Sequence, residues 1–131
     1  MNHYRRNDMK RVELTAKIKA LLEGTVIPKP EAKDKFCIKG TGHRRGEEAL
    51  VYTIPSHSEK EPKPYQKGVT FTEFFRAYTV LQETGEFTRQ WFRDNLPECN
   101  KEGGCNFTTI GGIFELLGLC EYADRGRYVK V

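Results

Sequence analysis

TFTEFFRAYTVLQETGEFTRQWFRDNLP, residues 70–97, and NFTTIGGIFELLG, residues 106–118, carry the apolar spacing from which the fold is read. Phe74, Phe75, Tyr78 and Leu81 form one set, Trp91, Phe92 and Leu96 a second, and Ile110, Ile113, Phe114 and Leu117 a third. Steps of three and four residues put each set on one helical face, so the pattern predicts short helices with one side to bury. Thr70 followed by Glu73 is a capping-box pair, in which each side chain serves the other residue's backbone N–H. Gly85 can supply the left-handed residue that closes the first helix. Thr88 is placed to cap the second, with Phe87 and Phe92 as a hydrophobic staple and Pro97 as its stop. Asn106 or Thr108 is expected to cap the third.

Beyond Gly118 the period changes to two. LCEYADRGRYVKV, residues 119–131, reads as a two-stranded ribbon with an Arg-Gly turn. Helix, helix, helix and hairpin in this order resemble the winged-helix family over roughly residues 69–131, about half of the chain. The resemblance rests on element order, helix lengths and a short wing. It implies DNA binding and a place in transcription regulation, with the third helix in the major groove and the wing on the backbone. The third helix departs from that pattern. Outside its apolar stripe it offers Thr109, Gly111, Gly112 and Glu115, with none of the basic or amide side chains that read base edges. Gly111 and Gly112 each weaken a helix by about 1 kcal/mol against alanine, which predicts a close approach of another backbone there, DNA or, favoured by the charge of Glu115, a packed protein helix. Phosphate contacts are expected instead from Arg89 and Arg93 of the second helix, Lys101 of the following loop, and Arg125, Arg127 and Lys130 of the wing.

Upstream, Leu14, Ile18, Leu21 and Leu22 predict an amphipathic helix from about Val12 to Glu23, ended by Gly24 and followed by Pro28 and Pro30. Phe36 and Ile38, then Leu50, Tyr52 and Ile54, alternate with their neighbours as strands of a hairpin do. Between them lies Gly40-Thr41-Gly42-His43-Arg44-Arg45-Gly46, preceded by Lys39. Read as a loop, this stretch offers accessible backbone N–H groups beside two planar guanidinium forks, a plausible phosphate contact. The alternative is a solvated tip kept soluble by its charge. Pro55 to Gly68 holds three prolines and no periodicity, and reads as a linker. The expected architecture is α+β: residues 1–54 as basic arm, helix and hairpin, 55–68 as linker, and 69–131 as the winged-helix-like part.

Charge follows this division. Residues 1–68 carry 15 Lys and Arg against 9 Asp and Glu, whereas residues 69–131 carry 7 against 9, so the net +4 comes from the N-terminal part. Arg5 and Arg6 of the arm, with Lys39, His43, Arg44 and Arg45, are the basic candidates there. The absence of an apolar run of membrane-spanning length and of a secretory leader predicts a cytoplasmic protein that does not enter a membrane. Cys37, Cys99, Cys105 and Cys120 lack the close pairing of zinc ligands, and no metal or cofactor is expected. His3, His43 and His57 fall in loops or the terminus, beside no candidate nucleophile, and the chain is not expected to be an enzyme. Two readings follow. In the favoured one a small protein holds nucleic acid, DNA before RNA, by its phosphates. In the other, the C-terminal part packs on a protein partner or on a second copy, and the basic groups only solubilise.

Overall fold

The computed structural model describes residues 8–32, 34–55 and 65–131. In chain order the elements are α1 (Arg11–Lys19), β1 (Cys37–Arg44), β2 (Glu47–Ile54), β3 (Tyr65–Thr70), α2 (Phe71–Thr84) and β4 (Glu86–Thr88). There follow α3 (Arg89–Asn95), α4 (Pro97–Glu102), α5 (Asn106–Leu116), β5 (Cys120–Asp124) and β6 (Arg127–Lys130). The protein is thus α+β, with two three-stranded antiparallel sheets of order β1-β2-β3 and β4-β6-β5.

The first sheet corrects three expectations. Helix α1 buries Leu14 and Ile18 but ends early, because the chain from Gly24 to Ile27 turns to hydrogen-bond with Phe36 and Ile38 at the entrance to β1. Leu22 is left 77% exposed. The glycine stretch is strand rather than loop: Gly40 to Arg44 run opposite Val51 to Glu47, with a bulge at Lys39. Only Arg45 and Gly46 make the turn, at φ 51° and 76°, the left-handed pair that a two-residue hairpin requires. An extended segment does not curl its N–H groups into an anion-holding concavity. Finally, the end of the expected linker, Tyr65 to Thr70, is a third strand paired with β2, which makes β2 central and buries Ala49 to Tyr52.

Thr70 closes β3 and caps α2. Its hydroxyl accepts from the Glu73 N–H while the Glu73 carboxylate accepts from the Thr70 N–H at 2.8 Å. Gly85, at φ 84°, ends that helix, and Thr88 accepts from the Trp91 N–H to start α3. Pro97 does not simply stop the chain there. It sits in the first turn of α4, where its missing N–H costs nothing. Asn106 is not a cap either: inside the first turn of α5 and fully buried, it accepts from the Tyr52 hydroxyl at 2.6 Å and donates to the Cys99 carbonyl.

Helix α5 is the centre of the molecule. Residues from Asn106 to Phe114 are buried with the exception of Thr108. The Phe107 ring lies 4.8 Å from Phe87 and 5.5 Å from Tyr128, and Phe114 touches both Phe74 and Tyr78 of α2. The paired glycines serve two close approaches. A methyl group at Gly111 would enter the Tyr128 ring, and one at Gly112 would enter the Pro28 carbonyl. One contiguous core therefore runs from Leu14 and Ile18 through Tyr52 to Tyr128, shared by both parts of the chain. Among the described residues no helix is long and apolar enough to cross a membrane.

Candidate anion-binding cleft

The cations read from sequence separate into two environments. At the β1–β2 turn, Arg45 points inward. Its Nε and Nη2 donate to the two oxygens of Glu73 at 2.8 and 2.7 Å, Nη1 donates to Glu102 at 2.5 Å, and Nη2 also reaches the Gly68 carbonyl. Arg44 donates to the other Glu102 oxygen at 2.9 Å. Lys67 donates to the Glu102 carbonyl at 2.6 Å, where a cation suits the C-terminal end of α4. Burial opposes the charge on Arg45, but the bonds from Glu73 and Glu102 outweigh it and hold the guanidinium above its ordinary pKa. This pair therefore fastens the hairpin turn to α2 and α4, and its forks are already occupied. Lys39 and His43 are exposed on the same strand. Arg5 and Arg6 lie outside the described residues.

The second environment forms where α3, the β5–β6 turn and the stretch after α1 meet. The Arg89 N–H donates to the Gly126 carbonyl at 2.9 Å, tying the start of α3 to the turn that carries Arg125. The Arg89 guanidinium lies 4.6 Å from the centre of the Phe107 ring and gives one N–H to the Gly104 carbonyl. Burial lowers its pKa, and the neighbouring charges of Arg93 and Arg125 lower it further. Arg93 is exposed and makes no ion pair or side-chain hydrogen bond among the described residues. Arg125 is 88% exposed, with Glu31 at 3.9 Å as its acidic neighbour. Pairs of this kind are screened and contribute about 0–1 kcal/mol.

Arg89 and Arg125 line a cleft of about 350 Å³ together with Lys29, Glu31, Phe36, Phe107, Thr108 and Tyr122. The Lys29 ammonium donates to the Cys105 carbonyl at 2.8 Å, the Thr108 hydroxyl at 2.9 Å and the Thr109 hydroxyl at 2.7 Å. It sits 4.5 Å from the centre of the Phe36 ring and 5.5 Å from that of Tyr52. Burial pulls its pKa from the usual 10.5 to about 7; Cys105 acts against the shift and Arg89 adds to it. Composition alone does not find Lys29. The signal was its place between Pro28 and Pro30, which fixes the backbone on both sides and aims one side chain.

The remaining wing cations lie apart. Arg127 is held by Asp124 at 3.1 Å and Glu86 at 3.3 Å, so its charge is matched, and Lys130 stands exposed at the far end of β6. The four described thiols form no disulfide, and among the described residues no group of three His, Cys, Asp or Glu side chains is gathered to hold a metal. No protein-family model, curated protein or solved structure matches this chain.

Proposed function

We propose that this is a small nucleic-acid-binding protein, not an enzyme, whose residues 69–131 form a winged helix. Supporting the family reading is the strand order β4-β6-β5, in which the short strand after the first helix of this part pairs with the last strand of the terminal hairpin. The observation that carries the functional reading is geometric: Arg89 and Arg125 line one cleft with Lys29, the Arg89 N–H is bonded to the turn that carries Arg125, and Arg93 lies one turn along α3 from Arg89. Set against them is one exposed acid, Glu31, 3.9 Å from Arg125, and cations in such excess bind a polyanion favourably, because each phosphate contact releases condensed counterions.

Helix α5, the counterpart of a groove-reading helix, is sealed under Ile27, Pro28 and Tyr52. Its one amide side chain, Asn106, is buried and bonded, and the residues it leaves accessible, Thr108, Glu115 and Leu116, include no basic or amide group to read base edges. Binding is therefore by phosphate and tolerant of sequence, with duplex DNA the favoured target, and a regulator that selects one operator is not what this arrangement supports. Arg44 and Arg45 play no part in the grip.

Fluorescence anisotropy with a labelled duplex over a salt series tests this. Three arginine contacts predict that log K falls with log salt at a slope of about −3. Arg93→Ala, which removes a partner-free exposed side chain, should lower the slope by about one without altering the unfolding midpoint. Failure to bind any duplex at low salt ends the proposal.

A further inference from the structure

The phosphate reading uses only the outer arginines and leaves the cleft behind them without a role. The cleft has a defined chemistry. Arg125 is nearly free, its contact with Glu31 being long and exposed enough to exchange for an anion. Arg89 gives a single side-chain hydrogen bond, to Gly104, and is held rigid by Phe107 and by its own backbone link to Gly126. The Lys29 ammonium has all three N–H groups engaged, so it offers no further bond, and it adds positive potential from below only while it stays protonated, below about pH 7. The walls carry two partly buried rings, Phe36 and Tyr122. One held and one free arginine at the mouth, with aromatic surface inside, suit a phosphate joined to a flat heterocycle, and the volume is that of a small-ligand site.

We infer that this cleft receives one unpaired nucleotide unit, its phosphate between Arg89 and Arg125 and its base against the rings of Phe36 and Tyr122. The inference deepens the phosphate reading and rests on it, since the same two arginines serve both. The unit is either the 5′-phosphorylated end of a strand or a free nucleotide. A duplex wall is too wide to enter. The protein would then hold a backbone outside and seat an end inside.

The test uses four probes on the whole chain: a 5′-phosphorylated tetrathymidylate, the same strand without its phosphate, AMP, and inorganic phosphate. A closed dumbbell duplex, which has no ends, is the control for the outer face. Backbone amide shifts of Thr108, Tyr122 and Gly126 report the cleft. The expected result is that the phosphorylated strand shifts these amides and binds about tenfold more tightly than the unphosphorylated one, as a lost charge-assisted contact implies. Arg125→Ala, at an exposed position that the fold does not need, should remove that advantage. Phe36→Leu should weaken binding at least fivefold, on the order of one base–ring contact. AMP binding as well as the strand would identify a free nucleotide as the occupant; AMP binding much more weakly would identify a strand end. Inorganic phosphate binding as tightly as either would show that the rings take no part and would overturn the inference. A dumbbell that binds while no probe moves the cleft amides would also overturn it and leave the outer reading standing. Silence from every probe and from the dumbbell would remove both.

Discussion

Raising the pH from about 7 to about 8 should make this protein more stable, by about 1 kcal/mol, through Lys29 alone. The sign follows from proton counting. In the unfolded chain the ammonium keeps its ordinary pKa of 10.5, whereas burial at the base of the cleft brings it to about 7. Below about pH 7 both states hold the proton, and the full cost of the buried charge is present. Between the two values the unfolded state binds about one proton more, so stability climbs with pH, approaching a slope of 1.36 kcal/mol per unit once Lys29 is mostly neutral when folded. Allowing for half-titration at the start of the window gives the figure above. The opposing effect begins later. Burial raises the Cys120 thiol to about 12 and pushes Cys99 up as well, so the unfolded chain sheds those protons first and stability turns down above about pH 9. Urea denaturation at closely spaced pH values measures the profile. Lys29→Met should lose the rise whatever its absolute stability, since the readout is a slope. A wild-type profile that is flat or falling over this window, or a Met variant that climbs as steeply, would refute the reasoning.

Two further substitutions probe the frame around the cleft. Arg45→Met keeps the stem and the left-handed turn but strands the Glu73 carboxylate, 12% exposed, and leaves Glu102, 21% exposed, with Arg44 as its one remaining cation, and should cost about 3 kcal/mol in urea or thermal unfolding. Converting both acids to glutamine in the same variant should recover part of that loss, because glutamine preserves the capping box at Thr70. Gly111→Ala places a methyl in the ring of the fully buried Tyr128 and should cost about 3 kcal/mol, at the upper end for overpacking. Gly104→Ala meets only ordinary contact distances and should stay within about 0.5 kcal/mol by the same measurement.

Local signals were legible where one residue and its near neighbours decide the outcome. The Thr70–Glu73 box, the Gly85 stop and the Thr88 cap all stand as their sequences imply. The terminal ribbon turns at Arg125 and Gly126, between β5 and β6. What escaped was set by partners far along the chain. Gly40 and Gly42 look like loop residues because nothing nearby says that Val51 and Ala49 will pair with them. Tyr65 to Thr70 hides as a strand because Lys67 and Gly68 break its alternation, and only β2 supplies the missing ladder. Arg45 looked available because Glu73 lies 28 residues away and Glu102 57. Of the candidate site, Arg89, Arg93 and Arg125 could be named from their types. The two prolines beside Lys29 mark a stiff segment, but that this segment crosses α5 and opens a cleft beside Phe36 is set by contacts some 80 residues apart, which no short-range pattern encodes.

That crossing decides what kind of partner the molecule can accept. With the Pro28 carbonyl seated on Gly112 from one side and Tyr128 on Gly111 from the other, α5 works as a tenon locked into its mortise. It is not a blade free to be inserted elsewhere. On the proposed reading, the encounter with a polyanion falls on the rim, among α3, the last turn and the extended stretch ahead of β1. Variation along the locked helix would alter how long the body survives, and only variation along the rim would alter what it meets.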